Sequence, residues 1–233
     1  MSTSAATSRP EPRPTIVTVP LGSWQTNCHL VCVPGPDGAT AGRPCWIVDC
    51  GERPQPLFAE IDRRGLKPSA LYLTHCHVDH IAGIDQALSR YGPLPIRCHP
   101  IEAAWNAEPT LNLSAFVGME VRVTPPTDFV EDGQRIELDG TTWEVLHVPG
   151  HSPGSVAYVH RPSGQALVGD TLFAGSIGRF DFPTSDGQAL KRSIFEVLLR
   201  LPDTMEIRPG HGPTTTIGAE RRSNPYVRSP SGW

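Results

Sequence analysis

Thr74-His75-Cys76-His77-Val78-Asp79-His80 is the stretch whose reading decides the fold. Three imidazoles and one carboxylate fall within positions 75–80. Nitrogen and carboxylate oxygen at that density suit a divalent transition metal such as zinc, iron or manganese. A hydrophobic core has no use for such a cluster, because polar groups packed together must find partners or stay wet. The run follows Ala70-Leu71-Tyr72-Leu73, an apolar stretch that reads as a buried strand. A reactive loop at the end of a buried strand is where open α/β sheets place their ligands.

Working outward, 16–19 and 29–33 read as strands. A Pro/Gly loop over 34–44 separates the second from a strand at Trp46-Ile47-Val48, closed by Asp49-Cys50-Gly51. Positions 57–64 have a helical pattern that stops at Gly65. Beyond the histidine run, Ile81, Ile84, Leu88 and Tyr91 recur at helical spacing and predict a helix over 81–91. A short strand over 94–98 and a helical turn over 101–106 follow. In the second half, 135–138 and 142–148 pair across Asp139-Gly140, a favoured hairpin turn. Strands over 156–160 and 166–168 pair across Pro162-Ser163-Gly164, 190–199 is an amphipathic helix, and 205–208 is a last short strand. Strand-rich stretches alternating with helices indicate sheets covered by helices.

A chain of 233 residues is long enough for one domain with a well-buried core. With 38% hydrophobic and 19% charged residues it reads as globular. A net charge of −4 without a basic block argues against nucleic acid as the main partner and favours small-molecule substrates. No apolar run approaches the roughly 20 residues of a membrane span. Positions 1–14 are Ser/Thr/Ala- and then Pro-rich, lack the apolar segment of a signal peptide, and read as a disordered extension. One domain is expected over 15–228, with a tail over 229–233. The six cysteines show no Cys-x-x-Cys spacing, and four of them (Cys28, Cys32, Cys45 and Cys50) sit in or beside apolar runs. Reduced thiols in a cytoplasm are the expectation.

Five of the nine histidines lie in three strand-end loops. Besides His75, His77 and His80 these are His151 in Pro149-Gly150-His151 and His211 in Pro209-Gly210-His211. Asp170 closes Val168-Gly169-Asp170, just past another apolar strand. In an extended segment residues i and i+2 point the same way, so His75 and His77 can grip one ion. Asp79 and His80, at the turn into the next helix, can face a second. His151 would complete the first set and His211 the second, and Asp170 with two oxygens could bridge. Two ions about 3.5–4 Å apart can hold a shared hydroxide and lower the pKa of water from about 15.7 towards 7.

The order HxHxDH, lone His, GD and GHG resembles the metallo-β-lactamase-fold hydrolases over almost the whole chain after Pro14. More narrowly, it is similar to the short bacterial branch of glyoxalase II, the hydroxyacylglutathione hydrolases. That likeness rests on Thr26-Asn27-Cys28, on Ser176-Ile177-Gly178-Arg179-Phe180-Asp181-Phe182-Pro183, and on Pro209-Gly210-His211-Gly212-Pro213 running on to Glu220-Arg221-Arg222-Ser223-Asn224-Pro225. The resemblance implies an α+β fold, an αββα sandwich of two mixed sheets flanked by helices. It implies a dinuclear site with His75, His77 and His151 on one ion, Asp79, His80 and His211 on the other, and Asp170 bridging. Asp79 and Asp170 are then the catalytic carboxylates, Asp79 helping to handle the proton. Two divalent ions are implied, zinc first, with iron and manganese as alternatives. The implied reaction is hydrolysis of an acyl thioester, S-lactoylglutathione to lactate and thiol, by a metal-bridging hydroxide.

Full-length glyoxalase II carries a further helical domain after its last histidine, with basic residues that hold glutathione. Only 212–233 follow His211 here, so that domain is not expected. Arg179 is the remaining candidate for a substrate carboxylate, because guanidinium pairs with it bidentately. The Thr-His-Cys-His and Gly-Arg-x-Asp-Phe stretches are also similar to the persulfide dioxygenases of this fold, which use one iron. Lactonases and β-lactamases are further off: Phe173 stands where lactonases place a tyrosine, and Asp170 where β-lactamases use another residue. A metal-dependent binding module is the non-enzymatic alternative. His29, His99, His147 and His160 are read as structural, Cys76 as pointing away from the ligands, and Trp24, Trp105 and Trp143 as packing residues.

Overall fold

The computed structural model describes residues 11–229. Positions 1–10 of the expected extension and 230–233 of the expected tail lie outside the described residues. Strands β1 (Thr15–Leu21), β2 (Thr26–Cys32) and β3 (Pro44–Val48) form an antiparallel meander. Helix α1 (Gln55–Arg64) then crosses over to β4 (Lys67–Tyr72), which lies parallel to β3. Short helices α2 (Val78–Ile81) and α3 (Ile84–Tyr91) lead to β5 (Ile96–Cys98) and β6 (Asp128–Phe129), which extend the same sheet in parallel.

The second sheet opens with β7 (Arg135–Leu138), β8 (Thr141–His147), β9 (Val156–His160) and β10 (Gln165–Gly169), all antiparallel to their neighbours. A small ribbon, β11 (Leu172–Phe173) and β12 (Ser176–Ile177), precedes helix α4 (Gly187–Arg192). Strand β13 (Glu206–Pro209) returns parallel to β10, and β14 (Thr215–Thr216) closes that edge before α5 (Ile217–Ser223) and α6 (Pro225–Arg228). The spatial orders are β1-β2-β3-β4-β5-β6 and β14-β13-β10-β9-β8-β7, so both sheets are mixed.

The alternation of side chains along each strand explains the layering. Cys28, Leu30 and Cys32 of β2, Cys45 and Ile47 of β3, and Leu71 of β4 turn to a core shared with α1 and α3. Their neighbours Val31, Trp46, Val48, Ala70 and Tyr72 turn the other way and meet Trp143, Val145, Val156 and Tyr158 of the second sheet. Ala157, Val159, Ala166 and Val168 face outward from that sheet onto Leu190, Ile194 and Ile217. Two sheets back to back with helices on both outer faces make the αββα sandwich. Strands covered on both faces read as continuous apolar runs, which is why β2, β3, β9 and β10 are buried almost throughout. The β7–β8 turn has both Asp139 and Gly140 in the left-handed region, φ 49° and 85°, as a type I′ hairpin requires. No helix among the described residues is long and apolar enough to cross a membrane.

The structure departs from the sequence expectation in particular places. The helix expected over 81–91 is split between α2 and α3 at Ala82-Gly83. Gly83 packs onto the end of β3: its N–H donates to Cys50 O at 2.8 Å, and a Cβ there would sit 2.4 Å from Gly51 O. Helix α4 begins earlier than expected, because Asp186 caps it by accepting from the N–H groups of Gln188 and Ala189 at 2.8 and 2.9 Å. It then widens into a π turn over Ser193–Val197 and tightens into a 3₁₀ turn over Leu198–Arg200. The turn expected over 101–106 is two 3₁₀ turns, Pro100–Glu102 and Trp105–Ala107.

Candidate metal centre

The site is assembled where strands from both sheets end together. Asp49 follows β3 in the left-handed conformation, φ 61°. Its carboxylate accepts from the N–H and hydroxyl of Thr74, both at 2.8 Å, which ties the end of β3 to the end of β4. The chain leaving β4 then presents His75 and His77, and α2 turns Asp79 and His80 back over the same point. Opposite them stand His151 from the loop after β8, Asp170 after β10 and His211 after β13.

All seven residues come together. Ligand-type atoms of His75, His77 and His151 lie within 4.8 Å of one another, as do those of Asp79, His80 and His211, and those of His75, His80 and Asp170. Asp170 touches both sides: its Oδ1 is 3.5 Å from His80 Nε2, and its Oδ2 is 3.6 Å from His151 Nε2 and 3.4 Å from His211 Nε2. Asp79 Oδ2 is 3.1 Å from His211 Nε2 and 3.4 Å from His80 Nε2, and accepts from Thr26 Oγ1 at 2.9 Å.

Acceptors on the far side of the rings set their orientation. Nδ1–H of His80 donates to Asp49 Oδ2 at 2.9 Å, that of His151 to Arg179 O at 2.8 Å, and that of His211 to Trp24 O at 3.1 Å. An acceptor behind Nδ1 keeps the proton there and turns the Nε2 lone pair inward, as carboxylate–histidine–metal arrangements do. Asp49 is a functional residue that sequence reading passed over as a strand terminator; its signal was an acidic residue ending a strand next to the histidine run. Glu102 was also missed. It is fully buried and accepts from Cys76 N and Gly154 N, both at 2.7 Å, stapling the His75–His77 loop to the loop after His151.

Electrostatics prepare the cluster for cations. Burial pushes His75 and His77 well below the usual imidazole range, with neighbouring imidazoles adding to it. Burial opposes charge on His80 too, but the Asp79, Asp49 and Asp170 carboxylates override it and hold that ring well above the usual range. Burial likewise opposes charge on His211, yet its hydrogen bonds to Asp170 and Asp79 raise it to about 9. Asp170, despite its burial, is held well below the carboxylate range by His80 and His211. Two ionised carboxylates thus face inward and draw protons onto His80 and His211, positive charge that a divalent ion bound there would displace.

Unsatisfied atoms test whether a metal fits. His75 Nε2, His80 Nε2 and Asp170 Oδ1 are buried without a hydrogen-bond partner. Each such group costs about 1–3 kcal/mol when left unpaired, so three in one place call for a ligand. His77 Nδ1 and His151 Nε2 also face each other at 2.9 Å, two imidazole nitrogens that a single cation could share. The donor set is nitrogen and carboxylate oxygen, which suits zinc, iron or manganese. Cys76 is buried in the helix-side core and stays outside the cluster.

Gly210 makes room for this packing, because a Cβ there would lie 2.1 Å from Asp170 Oδ1 and 2.8 Å from His80 Cε1. Asn27 fixes the same loop: its N–H donates to Gly210 O at 2.7 Å, and its amide donates to Pro209 O and Gly212 O at 2.9 and 2.8 Å. Above the cluster opens a cavity of about 570 Å³, walled by Trp24, Leu113, Phe116, Val117, Phe173 and Phe182. Trp24 is therefore a wall residue and not the packing residue expected, whereas Trp143 is core and Trp105 is buried against the His77 ring at 5.8 Å. Arg179 reaches the rim, but its guanidinium is engaged bidentately by Asp181 at 2.9 and 3.0 Å and lies 4.3 Å from the centre of the Phe182 ring. The other histidines serve the framework: His29 pairs with Thr18 Oγ1, His99 stacks on His147, and His160 is bonded to Ser163.

A four-layered αββα sandwich with a His/Asp cluster at the sheet ends defines the metallo-hydrolase class. The sequence matches the metallo-beta-lactamase superfamily over residues 21–211, and the chain belongs to that superfamily. It is 34% identical over 223 residues to the hydroxyacylglutathione hydrolase GloC of Haemophilus influenzae, covering 91% of this chain and 98% of that one. Among solved structures it is similar to the BLEG-1 B3 metallo-beta-lactamase, with a TM-score of 0.84 and 33% identity over 91% of this chain and 99% of that one. It is also similar to TTHA1623 in a di-iron-bound form, with a TM-score of 0.76 and 36% identity over 90% and 99%.

Proposed function

We propose that the protein hydrolyses acyl thioesters of the S-lactoylglutathione type. His75, His77 and His151 would hold one divalent ion, Asp79, His80 and His211 a second, and Asp170 would be shared. The observation that carries this reading is the convergence of unpartnered His75, His80 and Asp170 ligand atoms beneath an open cavity of about 570 Å³. Bound there, the ions would supply a hydroxide nucleophile at neutral pH and polarise the acyl carbonyl, zinc being the first choice, with iron or manganese as alternatives. Oxygen adds to the acyl carbon, the carbon–sulfur bond breaks, and the departing thiolate takes a proton. Asp79, whose carboxylate accepts from Thr26 Oγ1 at 2.9 Å, would pass that proton. The likeness to GloC supports the thioester assignment. The reading includes a small-molecule substrate with no nucleic-acid or membrane partner, and a cytoplasmic setting. Six buried cysteines without a disulfide support that setting.

The likeness to BLEG-1 carries a second reading, β-lactam hydrolysis. Metal analysis together with three assays separates the options. Two ions per chain and S-lactoylglutathione turnover that falls at least a hundredfold in His77→Ala is the expected result. Chromogenic cephalosporin turnover without thioester turnover would replace it by the second reading. One iron per chain with oxygen uptake on glutathione persulfide would replace hydrolysis by dioxygenation.

A further inference from the structure

The cavity over the cluster has a composition that the reaction alone does not require. Apart from the clustered histidines, Arg179 is the one basic side chain among the described residues that line it, and Asp181 already occupies its guanidinium. The remaining wall is formed by Trp24, Leu113, Phe116, Val117, Phe173 and Phe182. Glutathione carries two carboxylates and an ammonium group, and this wall offers no unpaired cation to them.

One side of the wall is also held out into water. Phe116 is 64% exposed and Val117 50% exposed, on a tight 3₁₀ turn between left-handed Leu113 and Gly118. The base of that turn is bolted down by buried Asn112, whose amide donates to Trp105 O and Val121 O, both at 3.0 Å. Asn112 O accepts from Val78 N at 2.8 Å, so the turn is fixed to the residue between His77 and Asp79. Large apolar side chains on a fixed mount beside an open cavity mark a surface that something apolar covers.

Building on the thioester reading, we propose that the substrate group lodged in this cavity is an uncharged, apolar acyl chain or ring, covered by Phe116 and Val117. Specificity then follows apolar area: each methylene placed against the wall raises kcat/KM about fourfold. The thiol carrier contributes little and points to solvent.

The test is a series of thioesters of the uncharged thiol N-acetylcysteamine, from acetyl to octanoyl plus phenylacetyl, set against S-lactoylglutathione, with metal-loaded protein. The inference expects kcat/KM to climb with chain length and to exceed that for S-lactoylglutathione by at least tenfold at octanoyl. Phe116→Ser flattens the slope. Phe129→Ser, a comparably exposed phenylalanine on β6 away from the cavity, leaves the series as in wild type. A flat or falling series with measurable turnover overturns the inference and leaves the hydrolase reading standing. If no thioester turns over, that reading falls, and calorimetric binding of the carboxylates acetate to octanoate decides the inference: affinity that tightens with length, and loses the trend in Phe116→Ser, supports an apolar site, and constant affinity overturns it. Concentration-dependent self-association abolished by Phe116→Ser, with an unchanged chain-length slope, would make the patch an interface between copies and also overturn it.

Discussion

Asp49 stands one hydrogen bond behind the cluster and sets the direction of His80, while also closing the ends of β3 and β4 through Thr74. Acceptors in that position commonly account for 10–100-fold of metal affinity. Asp49→Asn keeps an acceptor for Thr74 but removes the negative charge behind His80. The variant is expected to bind zinc at least tenfold more weakly in competition with a chromophoric chelator, with its thermal unfolding still cooperative. Unchanged zinc affinity would show that His80 is oriented by packing alone. The seven clustered residues were legible because their side chains have few other uses at that density and because glycine flanks His151, Asp170 and His211. Asp49 and Glu102 were not, since a buried carboxylate that accepts from backbone N–H groups looks in sequence like any surface acid. Arg179 shows the converse: its neighbour two residues on, Asp181, takes the very geometry for which the arginine was singled out.

At the scale of elements, strands buried on both faces and the Asp139-Gly140 hairpin could be read directly, because continuous apolar runs and a left-handed turn pair are local properties. The breaks could not. Gly83 interrupts a helical pattern because Cys50 and Gly51 pass too close for any side chain, a contact made across the fold. The early start of α4 follows from Asp186, whose carboxylate caps two N–H groups. Removing such a cap costs about 1 kcal/mol, with 0.5–2 as the usual span. Asp186→Ala is therefore expected to lower the unfolding free energy by about 1 kcal/mol in a urea titration with unaltered slope; a change in slope would mean that α4 had detached from the second sheet. Short terminal pieces such as β14 and α6 carry too few residues for any period to show.

For the molecule as a whole, His29 on β2 is one of several titratable groups buried on the strands, with Tyr72, Tyr158 and His160. Burial, aided by the positive Arg208 of β13, pushes its pKa down from 6.5 to about 3. The unfolded chain then binds more protons than the folded one between those values, so stability rises with pH across that window and is lost as pH falls from about 6.5 towards 3. The accumulated loss is on the order of 4 kcal/mol, a large share of the stability of a typical domain. His29→Gln, measured as unfolding midpoint against pH, is expected to flatten this dependence; an acid profile identical to wild type would place the sensitivity elsewhere. Asn27, two residues before His29, has a consequence in time. It grips Pro209 and Gly212, 182 and 185 positions later. A nascent chain on the ribosome therefore displays His75 to His80 long before the segment bearing His211 has been translated. Such distant partners meet late, and folding dominated by them is slow. Until His211 has been translated the growing polypeptide holds an unfinished cage, so loading with metal waits on the arrival of that last segment.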